Sequence, residues 1–83
     1  MNIYIELYAS LMPLLPPGTE RFRREMTVDD STTVQQLIDQ LRIPPEQAHL
    51  VLLNGSFVNP GDRAARQLEE NATLSVWPPV AGG

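Results

Sequence analysis

The chemistry open to this chain is concentrated in its last six residues, Pro78-Pro79-Val80-Ala81-Gly82-Gly83. Pro78 and Pro79 fix φ and favour an extended backbone without internal hydrogen bonds. Gly82 and Gly83 carry no Cβ and are the slimmest peptide a chain can present. Stiff prolines followed by thin glycines make a segment that projects and then threads. Six extended residues reach roughly 20 Å, enough to enter a partner's active site while the folded body stays outside. The reacting group would be the α-carboxylate of Gly83. With an ordinary pKa of about 3.5 it is ionised at neutral pH, and a carboxylate is a poor electrophile. Acyl chemistry there needs prior activation, for which adenylation is the natural route.

The rest of the chain offers little that could catalyse anything. There is no cysteine, hence no disulfide framework, thiolate ligand or cysteine nucleophile. His49 is the sole histidine and has no second histidine to build a ligand cluster, so no metal site is expected and His49 reads as a surface or strand-edge residue. No Gly-rich phosphate loop ending in lysine is present, so the chain should not hold ATP in that way. Asp29-Asp30 and Glu69-Glu70 are sequence neighbours beside turns. Adjacent carboxylates do not flank a substrate as acid–base work requires, and they read as solvated. The net charge of −4 argues against a nucleic-acid partner and suits a partner with a basic surface. All six basic residues are arginine. Without lysine, only an N-terminal amine could accept an activated carboxylate, so chain-building on this protein is not expected.

Eighty-three residues make one domain with a small core. The start, Met1-Asn2-Ile3-Tyr4-Ile5, lacks the basic and long apolar regions of a signal peptide, and no segment approaches the length of a membrane span. A cytoplasmic protein without membrane partners is expected.

The elements that must hold the tail follow from periodicity. Residues 2–8 alternate, with Ile3, Ile5 and Leu7 on one face and Tyr4, Glu6 and Tyr8 on the other, as in a half-buried strand. Ala9 to Glu20 contains Pro13, Pro16, Pro17 and Gly18. Ser10 could cap one helical turn there, and the remainder reads as a long mobile connection. A second strand spans about 21–28, with Phe22, Met26 and Val28 inward, Arg24 an imperfect member of that face, and Glu25 and Thr27 outward. Thr32 or Thr33 then serves as N-cap, each with a glutamine three residues on. Val34, Leu37, Ile38 and Leu41 form the apolar stripe of a short helix that Pro44-Pro45 stops near Arg42. Leu50–Leu53 is a third strand, Asn54-Gly55 a two-residue hairpin turn, and Ser56-Phe57-Val58 a short fourth strand. Asn59-Pro60-Gly61-Asp62 is a turn, and 63–68 could wind into a helical turn. In the last strand Leu74 and Val76 face the core, with Ser75 and Trp77 opposite.

A strand pair, one helix, an Asn-Gly hairpin and a final strand running into Pro78-Pro79-Val80-Ala81-Gly82-Gly83 resembles the ubiquitin-like β-grasp sulfur carriers of the MoaD/ThiS family. The tail is most similar to that of the small subunit of molybdopterin synthase; the thiamine-pathway carrier shares the fold and terminal Gly-Gly but usually lacks the double proline. The resemblance spans the whole chain, although only the tail is specific. The family often has a Gly-Asp turn before the last strand where this chain reads Glu69-Glu70-Asn71-Ala72, and Asn71 can supply the left-handed residue.

The resemblance implies an α+β fold, a mixed sheet of four to five strands packed on one main helix. Residues 1–77 would form the β-grasp domain and 78–83 the extended tail. It implies a sulfur-carrying subunit that performs no catalysis unaided and binds no cofactor. A ubiquitin-activating-like adenylating enzyme would use ATP to activate Gly83, with Gly82 before it. A persulfide sulfur would yield a thiocarboxylate, and a larger synthase subunit would receive that sulfur for a molybdopterin or tungsten cofactor. Large apolar groups at outward sheet positions, Tyr8, Leu52, Phe57 and Trp77, followed by Pro78 and Pro79, resemble that family's docking surface. Transfer in thiamine or another pathway, attachment of Gly83 to lysines of other proteins, and a binding module whose Gly-Gly is incidental are the alternatives.

Overall fold

The computed structural model describes residues 1–80. Five strands, β1 (Asn2–Leu7), β2 (Arg23–Thr27), β3 (Leu50–Leu53), β4 (Ser56–Phe57) and β5 (Thr73–Trp77), form one sheet in the order β2-β1-β5-β3-β4. The central pair, β1 and β5, is parallel, and the other pairings are antiparallel. The helix α1 (Val34–Gln40) covers one face. Ile3, Ile5 and Leu7 of β1, Val51 and Leu53 of β3, and Leu74 and Val76 of β5 are buried together with Val34, Leu37, Ile38 and Leu41. The other face of the sheet carries no helix. The alternation and the helical stripe predict these elements, and their assembly is the mixed sheet on one main helix that the resemblance implies.

Local chemistry sets the limits of α1. The Thr33 hydroxyl accepts from the Gln36 amide at 3.2 Å, and the Thr33 amide donates back to the Gln36 side chain at 2.9 Å. This is the capping box, and it selects Thr33 over Thr32 as N-cap. At the far end Arg42 takes φ +59, its amide donates to Asp39 O, and the Ile43 amide reaches back to Ile38 O. That pair of bonds is a Schellman stop with arginine in the left-handed position usually given to glycine. The β3–β4 hairpin turns on Asn54 (φ +50) and Gly55 (φ +83), the two positive angles of a type I′ turn. Asn71 supplies the left-handed residue before β5, at φ +65.

Four expectations change. The segment after β1 is a 3-10 helix, Ala9–Leu14, whose N-cap position is Tyr8 and not Ser10, with no side-chain cap bond. Burial of Leu11 holds it. The following stretch is fastened rather than loose: the half-buried Arg24 guanidinium donates to the carbonyls of Pro16 (2.7 Å), Gly18 (3.1 Å), Glu20 and Arg23 (2.7 Å). A Cβ at Gly18 would overlap that guanidinium, so a side chain there would have to displace it. Second, β2 begins at Arg23, and Phe22 lies outside it. Phe22 is 39% exposed, with its ring beside Tyr8 rather than in the core. Third, β4 is only two residues long; Val58 leaves the strand and is buried, its amide on Val51 O. Fourth, 3-10 winding falls at Pro60–Asp62, before the stretch where a helical turn was expected, and Gln67 makes an isolated bridge to Thr33. Residues 63 and 66 then serve α1: their carbonyls accept from the Gln35 and Val34 amides. The Arg63 side chain is buried and donates to Ala48 O at 2.9 Å, and burial lowers its pKa.

Candidate functional site

The uncovered face of the sheet is ordered in rows by its register. One row runs Leu50–Trp77 across β3 and β5, continues to Tyr8 one step beyond the Leu7–Val76 pair, and ends at Phe22. The next runs Phe57–Leu52–Ser75–Glu6–Arg23 across all five strands. A third carries Thr73, Tyr4 and Glu25. Apolar and aromatic side chains thus collect at the end of the sheet where β5 runs out, and polar ones lie behind them.

Trp77 is the hinge between this patch and the tail. The Tyr8 and Trp77 rings stack at 4.3 Å between centroids, 4° from parallel, and Phe22 tilts onto Tyr8 at 5.1 Å. On both flanks the backbone is fixed. The Tyr8 amide donates to Val76 O at 3.2 Å, and the His49 amide donates to Trp77 O at 3.1 Å. Pro78, half-buried, and Pro79 and Val80, both exposed, follow without regular structure. Ala81, Gly82 and Gly83 lie outside the described residues, so the predicted reactive end is named here by sequence alone.

The register places Tyr8, Leu52, Phe57 and Trp77 of the expected docking surface on one face of the sheet, and Pro78 and Pro79 follow Trp77 in the chain. Phe57 is 54% exposed on the short edge strand, while Leu52, Tyr8 and Trp77 are half-buried. Two members were missed. Leu50 (37% exposed) shares the strand phase of Leu52, and that phase was enough to find it. Phe22 was assigned inward because its spacing continues that of Met26 and Val28; nothing local marks where the β1–β2 ladder ends.

A carboxylate sits at the inner border of the patch. Glu6 Oε1 accepts from the Tyr8 hydroxyl and the Ser75 hydroxyl, each at 3.0 Å, and Oε2 accepts from Arg23 at 2.6 Å. Arg23 also lies over the Tyr4 ring, 4.5 Å from its centroid. Burial alone would raise the Glu6 pKa, but the hydrogen bonds from Arg23, Ser75 and Tyr8, with the charge of Arg23, together hold it below the ordinary value. Burial and then the bond to Glu6 push the Tyr8 phenol up. The charge of Glu6 is answered within the protein.

His49 is exposed and contributes its backbone to β5. The acidic pairs do structural work in part: Asp30 accepts from the N-terminal ammonium at 3.0 Å and Glu70 from the Asn2 amide at 2.7 Å. Among the described residues, no three histidine or carboxylate side chains gather as a metal site would need, and no helix is long and apolar enough to cross a membrane.

The model of the ThiS family matches residues 5–83. The chain belongs to the ThiS family. No curated protein sequence matches it. Solved structures similar to it include small archaeal modifier protein 1 of Haloferax volcanii, at 22% identity and a TM-score of 0.68, covering 95% of this chain and 98% of that one. The thiamine biosynthesis protein ThiS of Geobacter metallireducens is similar at 16% identity and 0.67, covering 100% of both chains. A chain in the complex of subunits 1 and 2 of the molybdopterin-converting factor of Helicobacter pylori is similar at 14% identity and 0.60, again over 100% of both. The fold is the ubiquitin-like β-grasp, and the chain falls among the ubiquitin-like sulfur carriers of the MoaD/ThiS family.

Proposed function

We propose that this chain is the sulfur-carrying subunit of a molybdopterin-synthase-like complex, serving molybdopterin or tungsten cofactor synthesis. The observation that carries the reading is the apolar row Leu50–Trp77–Tyr8–Phe22, which includes Trp77, the root of a Pro-Pro tail bearing a terminal Gly-Gly. A docking surface and a threading arm are continuous at Trp77. Family membership and the likeness to a molybdopterin-converting-factor complex support a larger synthase subunit as the partner.

In the proposed cycle, the Gly83 carboxylate attacks the α-phosphate of ATP in a ubiquitin-activating-like enzyme, forming an acyl adenylate and releasing pyrophosphate. The terminal sulfur of a persulfide displaces AMP. A second thiol then attacks the resulting acyl disulfide, freeing the thiocarboxylate and leaving a disulfide behind. The tail carries the thiocarboxylate into the larger subunit, where its sulfur attacks an electrophilic carbon of the pterin precursor with departure of an oxygen substituent from that carbon. Water then hydrolyses the resulting thioester, leaving the sulfur on the pterin and returning Gly83 to the carboxylate. The carrier needs no cysteine and binds no cofactor in this scheme, and ATP belongs to the activating partner. It operates in the cytoplasm.

Incubation with an adenylating enzyme of this class, ATP and a sulfur donor should exchange one terminal oxygen for sulfur by intact mass. Absence of the exchange with every cognate activating enzyme would overturn the reading. Removal of Gly82 and Gly83 should abolish transfer and leave folding intact, since the core is complete by Val76. The likeness to an archaeal modifier and to a thiamine-pathway protein keeps two rival outcomes in view. A C-terminal remnant on lysines of other proteins would indicate the first. Sulfur delivery to a thiazole precursor instead of a pterin would indicate the second.

A further inference from the structure

We infer that Glu6 is a positioning residue for the anchor at the tail root: through the Tyr8 hydroxyl it fixes the ring on which Trp77 stacks. The inference rests on the proposed carrier function for its purpose, although its geometry stands in the free protein. Tyr8 is the last residue of its strand's outward series and lies just past the end of β1. Its backbone is tied to Val76, but a ring at a strand end is free to rotate about χ1 unless something holds its tip. The Glu6 carboxylate holds that tip at 3.0 Å.

Glu6 is itself held from both sides. Arg23 on β2 and Ser75 on β5 fix its two oxygens, and the third partner, Tyr8, lies just past the end of β1. Arg23 is steadied in turn by the Tyr4 ring. A chain of contacts therefore runs from the middle of the sheet to the tail root: Arg23 and Ser75 to Glu6, Glu6 to the Tyr8 hydroxyl, the Tyr8 ring to Trp77. The rings are 4° from parallel at 4.3 Å, an arrangement with little room for a second rotamer of either. An apolar side chain at position 6 would pack between the strands equally well and would leave the Tyr8 hydroxyl without an acceptor. A carboxylate enclosed at the border of an otherwise apolar docking face has a reason to be there if it orders the anchor.

The test uses the full chain, in which Trp77 is the only tryptophan. The near-UV circular dichroism of the indole and the order parameter of its N–H report how firmly Trp77 is stacked. Tyr8→Phe, which removes one oxygen and keeps the ring, should lose most of the indole dichroism and lower the order parameter. Glu6→Leu should do the same, and Glu6→Gln, whose amide oxygen can still accept from Tyr8, should restore both. Unchanged indole signals in Tyr8→Phe would overturn the inference even if the variant were less stable, because a purely structural role predicts lost stability without a loosened Trp77. Equal loss of signal in Glu6→Gln and Glu6→Leu would also overturn it. The carrier reading is judged separately, by sulfur exchange on the wild-type chain. A chain that fails the exchange and keeps the Glu6-dependent indole signature refutes the carrier reading and leaves this geometry standing.

Discussion

Replacing Phe57 by alanine separates docking from folding better than any other change on the patch. Its ring lies on a two-residue edge strand, paired only through Leu52. More than half of the residue, 54%, is exposed in the free chain. Full burial of a phenylalanine side chain contributes about 1.5–3 kcal/mol, so covering the exposed half on a partner is worth roughly 1–1.5 kcal/mol. That corresponds to about a five- to tenfold weaker complex on removal of the ring. The cost to folding should be smaller, roughly 1 kcal/mol, because only the covered half of the ring is lost from the free protein. Titration calorimetry against the larger synthase subunit measures the first quantity and urea unfolding the second. Phe57→Asp should weaken binding further, since the partner would then enclose an unpaired carboxylate. Affinities unchanged in both variants would refute the claim that this face docks. A fall in stability with no fall in affinity would show instead that Phe57 serves the fold.

Three further outcomes follow from particular contacts. Glu6 has a depressed pKa, so its network stabilises the fold above the ordinary carboxylate value and loses that contribution as pH falls through the lowered pKa; urea unfolding between neutral and acid pH should show this loss in wild type and a shallower one in Glu6→Gln. Arg42→Gly relieves a left-handed arginine at φ +59 and should raise stability by about 0.5–1 kcal/mol, read as a higher melting temperature. Arg24→Ala removes the donor that four carbonyls of residues 16–23 share, and should cost roughly 1–2 kcal/mol and speed tryptic cleavage after Arg21; Gly18→Ala, by displacing the same guanidinium, should act in the same direction.

What could be read from the sequence was local. The helix stripe, the Asn54-Gly55 turn and the phase of β5 each depend on residues within a few positions of one another and stand in the structure as predicted, and of the two capping boxes open to Thr32 and Thr33 the structure takes Thr33–Gln36. What could not be read depends on distant partners. Arg24 looked like a flaw in an apolar series because the carbonyls that satisfy it belong to a loop four to eight residues away, whose path only the folded sheet determines. Phe22 continues the inward spacing of β2, yet the ladder with β1 stops at Arg23, and an aromatic partner on the other face takes its ring. Ser10 had the right chemistry for a cap, but the turn that buries Leu11 starts two residues earlier, with Tyr8 in the cap position. Glu6 and Ser75 were assigned to the outward face correctly, and their meeting with Arg23 and Tyr8 needed the strand order.

That strand order also explains why a domain this small can present a tail with a fixed origin. β5 is central: β1 lies on one side and β3 on the other. A tail leaving an edge strand would have one hydrogen-bonded flank and would swing about it. Here the end of the ladder is closed from both sides, by Tyr8 onto Val76 and by His49 onto Trp77, so the backbone is held up to Trp77. Proline then restricts φ at the two positions where the swing would otherwise start. The parallel pairing of β1 with β5 has a further effect. Both strands run toward the same end, so outward residues late in β1 finish beside the tail root, which is why Tyr8, near the start of the chain, stacks on Trp77, near its finish. An antiparallel central pair would have set Asn2 there instead and left Trp77 without an aromatic neighbour from that strand. The anchor for the tail is thus a product of topology, made from two residues that the sequence holds 69 positions apart.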